Sequence, residues 1–124
     1  MPFSARYSPE LNAVETVFNG IINEADIEAE LYESHRISEK FGTSYYLVNF
    51  TDAELKLSIT YIYNLPALCD RIGKNRPTRI ALVNDNAQNQ ELVDFYKLVS
   101  QNRGWNIETF LTPNDAESWL RSNA

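Results

Sequence analysis

Strands and helices alternate along most of this sequence, and this alternation limits the fold more than any other feature. The chain begins with two strand-like segments, residues 3–7 and 13–19, separated by a turn-forming stretch at 8–12. This arrangement predicts an antiparallel hairpin. After the hairpin, helices and strands alternate, which is typical of a mainly parallel sheet with right-handed helical crossovers.

Capping residues and apolar runs define the elements that follow the hairpin. Asn23, Ser58 and Thr112 are predicted N-caps, and Gly42 and Gly73 are predicted to end the first two helices. The remaining predicted elements are a third helix with an apolar stripe over 92–99 and strands at 44–50, 78–83 and 106–111. The predicted order is therefore β-β-α-β-α-β-α-β-α.

The apolar content of the strands predicts how they are arranged. Residues 44–50 and 78–83 are nearly continuous apolar runs, which suit central strands that are covered on both faces. Residues 51–57 are more polar, and we predict a loop there. The sequence thus indicates an α/β fold with a single, mostly parallel sheet, an N-terminal antiparallel hairpin and helices packed on the sheet.

Composition narrows the class of protein and its setting. The chain has 124 residues, the size of a single domain, which we assign to residues 1–124. The net charge of −6 argues against a dedicated nucleic-acid binder. The single cysteine, Cys69, cannot form an intramolecular disulfide, so we expect a reducing, cytoplasmic setting. No apolar segment approaches the ~20 residues that span a bilayer.

Common cofactor and catalytic motifs are missing from the sequence. His35 is the only histidine and Cys69 the only cysteine, so the usual zinc ligand sets cannot be assembled within one chain. No Walker loop or GxGxxG motif occurs, because the glycines stand far apart. We therefore expect no cofactor, no metal and no enzymatic activity.

Several segments together resemble one known family. They are the hairpin followed by FNGIIN, the strands YYLVNF and RIALVND, and the segment DFYKLVSQNRGWNIETFLTPNDAESWL, which ends in an A-x-x-W-L helix. These segments resemble small bacterial STAS-like proteins, which are similar to the anti-sigma-factor antagonist stage II sporulation protein AA (SpoIIAA). The resemblance covers nearly the whole chain. It implies a SpoIIAA-like fold and a non-enzymatic interaction or regulatory module that binds a protein partner or self-associates.

The resemblance also gives Ser58 two alternative roles. Anti-sigma-factor antagonists carry a phosphorylatable serine at the start of the helix after a central strand, in an Asp-Ser-Ser-Gly-like motif. Ser58 occupies that position, whereas Leu57, Ile59 and Thr60 replace the flanking Asp, Ser and Gly. A phosphate is favoured at a helix N-terminus. Serine is also a common N-cap, and the altered flanks favour this second role.

Acidic residues follow two of the predicted central strands. Asp52 and Glu54 follow the strand at 44–50, and Asp85 follows the strand at 78–83. Ligands of open α/β sheets bind at this edge, where carboxylates hold a cation or act as acid and base. Solvated turn residues are the alternative. The residues that we predict to face a partner or ligand are Asp52, Glu54, Ser58, Tyr61 and Asp85.

The aromatic residues exceed what one small core obviously needs. Those in question are Tyr45, Tyr46, Tyr61, Tyr63, Phe95 and Tyr96. Adjacent strand residues face opposite sides, so one member of each tyrosine pair is a candidate to line an apolar pocket or a subunit interface. Core packing with the hydroxyl group at the rim is the alternative. Some STAS-like relatives are grouped with Sec14-like lipid-binding domains, which implies a small apolar ligand as the alternative partner.

A group of basic residues lies between the second helix and the next strand. Its members are Arg71, Lys74, Arg76 and Arg79. They predict either an anion-binding patch or, for the first two, cations that complement the negative end of the helix dipole.

Overall fold

The computed structural model describes residues 2–73 and 79–122. The elements are β1 (Phe3–Ser8), β2 (Ala13–Phe18), β3 (Gly20–Ile22), α1 (Glu24–Phe41), β4 (Tyr45–Asn49), β5 (Ala53–Leu55), α2 (Ile59–Ile72), β6 (Arg79–Val83), α3 (Gln90–Asn102), β7 (Ile107–Phe110) and α4 (Pro113–Arg121), with a 3₁₀ turn at Ala87–Asn89. The predicted alternation of helices and strands is confirmed.

The main sheet contains five strands in the order β1-β2-β4-β6-β7. Strands β1 and β2 form the predicted antiparallel hairpin, and the other neighbouring pairs are parallel. Strand β4 lies at the centre of the sheet, and all residues of β6 are buried. Strands that are covered on both faces favour apolar side chains, which is why these sequences are nearly continuous apolar runs.

A second, two-stranded sheet corrects the prediction of a single sheet. Strands β3 and β5 pair in parallel, with Gly20 opposite Ala53 and Ile22 opposite Leu55. A loop was predicted at residues 51–57, where β5 lies, and no strand was predicted between the hairpin and the helix that Asn23 caps. Three residues per strand are too few to show a two-residue alternation. Gly20 has a φ of 74°, a left-handed conformation that glycine adopts without strain at the exit from β2.

Helices cover both faces of the main sheet. Helices α1, α2 and α3 pack on the face that carries Tyr46 and Leu82. Helix α4 packs on the opposite face, where Leu120 meets Leu47 and Val83. Neighbouring residues of one strand thus serve different helix layers, because side chains alternate across a strand. Within the described residues, none of the helices combines the length and apolar character that crossing a lipid bilayer requires.

The predicted helix ends are confirmed in detail. The Asn23 side chain accepts a hydrogen bond from the Asp26 backbone N–H at 2.9 Å, and the Asp26 carboxylate accepts one from the Asn23 N–H at 3.0 Å. This reciprocal capping box satisfies two amide groups that the first helical turn leaves without partners. Gly42 ends the same helix with a φ of 68°. Thr112 caps α4 through the Asp115 N–H.

Candidate functional site

A buried asparagine binds the segment 50–55, which follows β4 at the edge of the main sheet. We call this segment the rim. Asn89 is only 1% exposed. Its Nδ2 donates to the backbone oxygens of Phe50 and Ala53 at 3.1 and 3.0 Å, and its Oδ1 accepts from the Leu55 N–H at 3.1 Å. The side chain therefore takes the place of a neighbouring strand for the segment that contains β5.

A second group of hydrogen bonds joins the loop after β6 to the same rim. The Asp85 N–H donates to Thr51 Oγ1 at 3.1 Å, and Asn86 Nδ2 donates to the Ala53 carbonyl at 3.1 Å. The loops that carry Asp52 and Asp85 are therefore joined by hydrogen bonds between a backbone group of one loop and a side chain of the other. Both acidic residues are exposed.

Ser58 is the N-cap of α2. Its Oγ accepts from the Tyr61 N–H at 3.0 Å and donates to the Glu24 carboxylate at 3.3 Å. The Tyr61 hydroxyl donates to the Glu24 carbonyl at 3.2 Å. Burial, reinforced by the charges of Glu28 and Glu24, raises the pKa of Tyr61 to about 12. The predicted cap is confirmed, and a phosphate on Ser58 would face the repulsion of the adjacent carboxylate.

The predicted acidic residues serve different contacts in the structure. The Glu54 carboxylate pairs with Lys56 Nζ at 3.0 Å. The Asp52 carbonyl accepts from the backbone of the short sheet, and Asp85 contacts Thr51 through its own backbone. Across the part of the chain that the structure describes, no three His, Cys, Asp or Glu side chains form a group that could hold a metal ion.

An apolar pocket lies between the main sheet and the layer formed by α1, α2 and α3. It encloses about 70 Å³ and is partly open to solvent. Apolar and aromatic side chains supply most of its lining, and its half-buried members are Val48, Leu55, Leu57, Leu92 and Tyr96. The pocket begins directly beneath the rim that Asn89 organises, because Phe50 and Leu55 belong to both.

Among the described residues that line this pocket, one is charged. Glu30 projects from α1 and is only 5% exposed. Its Oε2 accepts a hydrogen bond from the Thr16 hydroxyl at 2.7 Å, and Thr16 is itself buried on β2. A buried carboxyl group is costly unless it is hydrogen-bonded, so this contact ties α1 to the sheet.

Tyr46 and Tyr96, two of the aromatic residues singled out in the sequence, also line the pocket. The pKa of each phenol is raised. Burial raises the pKa of Tyr96 well above 10, and the nearby Cys69 and Glu30 add to the rise. Burial likewise raises the pKa of Tyr46, with a further contribution from Glu30. Both phenols therefore lie near the buried carboxyl group and stay protonated at neutral pH.

The remaining aromatic residues occupy other environments. Tyr45 lies on the opposite sheet face, with the Arg79 guanidinium 6.0 Å from its ring centre, and Phe95 is half-buried. Tyr63 is 56% exposed on α2, whereas Tyr61 is half-buried. The expectation that some of these rings line an apolar pocket is confirmed for Tyr46 and Tyr96.

The predicted anion-binding patch does not include Arg79. This residue is buried, and its guanidinium bonds to the Trp119 carbonyl and to Ser122 Oγ at the end of α4. It therefore serves the C-terminal end of a helix, where cations are favoured. Lys74 and Arg76 lie outside the described residues.

Comparison with solved structures identifies the fold. The chain is similar to the crystal structure of an uncharacterized protein from the DUF3478 family of Shewanella loihica PV-4, whose fold is SpoIIAA-like. The TM-score is 0.62 at 18% identity, and the similarity covers 95% of this chain and 91% of that one. This chain has a SpoIIAA-like fold. No protein-family profile matches the sequence, and no protein of curated function matches it either.

Two residues that organise the site were not predicted from the sequence. Glu30 follows Ile27 by three residues and precedes Ser34 by four, so its place on the buried stripe of α1 was readable from the helical period. Asn89 carries no such signal, because an asparagine near a helix start is typical of exposed turns. Its backbone partners at the rim lie 34 to 39 residues away in the sequence.

Proposed function

We propose that this SpoIIAA-like protein is a non-enzymatic module that binds a small apolar ligand in the pocket beneath α1, α2 and α3. One observation carries the proposal: an opening that is already present in the structure and lined almost entirely by apolar side chains. Ligand sites are typically of this kind, apolar with a few placed polar groups. The cytoplasm is the setting that we propose for it, on the basis of the single cysteine.

The volume of the pocket limits the ligand. The pocket volume of about 70 Å³ is less than half that of an engineered apolar cavity of about 150 Å³ that binds benzene. A ligand that is wholly enclosed therefore has roughly three to five non-hydrogen atoms. Because the pocket is partly open, a longer aliphatic chain can extend past Leu57 and Leu92 towards solvent.

Native mass spectrometry of protein purified without added ligand tests this proposal. We expect a co-purifying apolar molecule, or uptake of xenon that is detected by shifts in NMR signals of pocket residues. Leu92→Trp should block either form of binding, because the larger ring fills the outer side of the pocket. Leu98→Trp is the matched control, since Leu98 lies on the same helix and is 54% exposed.

Opposite results would remove the proposal. A protein that carries no ligand and takes up no xenon has a closed core rather than a binding pocket. Equal binding by the wild type and by folded Leu92→Trp would place the ligand elsewhere.

A second candidate function is association with a protein partner or a second copy through the start of α2. Ile59 and Tyr63 lie one helical turn apart there and are 47% and 56% exposed. Large apolar side chains are enriched at the centres of interfaces. The rim residues Asp52, Glu54, Ser58, Tyr61 and Asp85 would surround this apolar pair.

Sedimentation velocity and recovery of partners from the native host test this second candidate. Tyr63→Ser should weaken self-association or partner recovery at least severalfold. Tyr32→Ser is the control, because Tyr32 is equally exposed on α1. A monomer that recovers no partner above background would exclude this candidate, and equal effects of the two variants would show that the start of α2 is not the contact.

A further inference from the structure

We propose that the Tyr96 and Ser100 hydroxyls form the polar subsite of the pocket and donate a hydrogen bond to the ligand, which makes the ligand a small neutral molecule with an acceptor oxygen, a ketone or an ester. This inference rests on the proposed function of the pocket and specifies its ligand class.

The Ser100 hydroxyl is the first support. Ser100 is 0% exposed, and among the described residues its Oγ is the one buried side-chain polar atom that makes no hydrogen bond of ordinary geometry. A buried hydroxyl without a partner is costly, and such groups are rare in native proteins. We therefore infer that a partner from outside the chain satisfies it.

The position of Ser100 places this hydroxyl beside the pocket. Ser100 follows Tyr96 by one turn of α3, so the two side chains share a face of the helix. Its carbonyl accepts a hydrogen bond from the Trp105 N–H at 3.0 Å. Tyr96 and Trp105 both line the pocket. Ser100 thus lies between two residues of the pocket wall.

The number of O–H donors is the second support. Burial raises the pKa of Tyr96, and the neighbouring Ser100 hydroxyl partly offsets this rise. Each of the two hydroxyls carries one donor, and a contact between them engages at most one of the two. No hydrogen bond from either hydroxyl to a further group is present among the described residues. At least one donor at the pocket wall is therefore left without a protein acceptor.

A donor without an acceptor determines the chemistry of the ligand. A ketone or an ester supplies an acceptor oxygen and brings no donor that would itself need a partner. A pure hydrocarbon would leave the hydroxyl unsatisfied. A carboxylate suits the pocket less well, because the described lining residues include no cation and one hydroxyl does not replace the hydration that an anion loses on burial.

Titration of wild-type protein with acetone and with isobutene tests this inference, with binding followed by NMR shifts of pocket residues. The two molecules have the same shape, and a methylene group of isobutene replaces the carbonyl oxygen of acetone. We expect acetone to bind within about tenfold of isobutene, because the hydroxyls replace hydrogen bonds that its carbonyl loses from water. In a pocket without a free donor this loss is uncompensated, and acetone should bind about a hundredfold more weakly.

A double variant removes both hydroxyls and keeps the aromatic ring. Tyr96→Phe combined with Ser100→Ala should weaken acetone binding about fivefold or more and leave isobutene binding unchanged. Tyr32→Phe combined with Ser118→Ala is the matched control, because both of these residues are exposed. Ser100→Ala alone should leave the midpoint of thermal unfolding of the ligand-free protein unchanged or raise it, since the hydroxyl that it removes has no protein partner.

The outcomes separate this inference from the function beneath it. Isobutene binding with acetone weaker by more than about tenfold would overturn the subsite and leave the pocket proposal intact. Unchanged acetone binding by the folded double variant, or a lower unfolding midpoint of Ser100→Ala, would also overturn the subsite. Absence of binding by both probes would overturn both proposals. The comparison of the two ligands on the wild type holds even if the double variant does not fold.

Discussion

Replacement of Asn89 by alanine should destabilise the protein by about 2–4 kcal/mol. The side chain makes three hydrogen bonds of 3.0 to 3.1 Å to the backbone of Phe50, Ala53 and Leu55. Each contributes about 1 kcal/mol net, and more where the partner is left buried without water. The carbonyls of Phe50 and Ala53 keep other donors, namely the Ala53 N–H and Asn86, so the estimate stays below the full desolvation penalty.

Urea denaturation of Asn89→Ala and wild type measures this difference in the free energy of unfolding. Asn89→Asp has nearly the same shape but loses both donors and directs a charge at two carbonyl oxygens, so it should cost more than the alanine variant. Amide hydrogen exchange at Leu55 should accelerate in both. Asn64→Ala is the matched control, because the exposed Asn64 donates only to its own helix, and it should change stability by less than about 0.5 kcal/mol.

The reasoning fails if Asn89→Ala costs no more than the Asn64 control. It also fails if Asn89→Ala lowers stability while Leu55 exchange is unchanged, since the rim contacts would then not be the source of the loss.

Further measurements test separate features of the fold. Ser58→Ala should lower the free energy of unfolding by about 1 kcal/mol through loss of the α2 cap, whereas Ser58→Thr should retain most of it; equal losses in thermal denaturation would contradict the cap. Gly42→Ala should cost about 1 kcal/mol in the same assay, because the residue has a φ of 68°; a neutral effect would show that the helix end relaxes. Burial raises the pKa of Tyr61 from 10.0 to about 12, so the neutral phenol stabilises the fold below pH 10.0 and this contribution is lost as pH rises towards 12. Denaturation across that range should show a smaller decline for Tyr61→Phe than for the wild type, and parallel curves would exclude the effect.

Local signals in the sequence predicted most of the secondary structure. The capping box at Asn23 and Asp26 acts within four residues, and Thr112 followed by Pro113 marks the last helix in the same way. Apolar runs identified the central strands, because most side chains of a strand that is covered on both faces are buried in apolar surroundings. These signals predicted an α/β fold with a mostly parallel sheet, and the SpoIIAA-like fold was predicted from the resemblance of whole segments to a known family.

The candidate site was only partly predictable, because its contacts join residues that are distant in sequence. Ser58 and Tyr61 lie where expected, but they contact Glu24, 34 and 37 residues earlier in the chain. The acids after the central strands were expected to approach one another, whereas the structure pairs Glu54 with a neighbouring lysine. The charge of a residue and its position along the chain do not show which distant side chain it will contact in the fold.

The amino-acid sequence by itself determined where each long element begins and ends, because capping and apolar periodicity act over a few residues. Only the tertiary structure decided that β3 and β5 pair, that Asn89 holds the rim and that an apolar pocket lies between the main sheet and three helices. Each of these features depends on groups that are distant in sequence. Their energies arise only once packing has removed water from around them, so no local pattern can encode them.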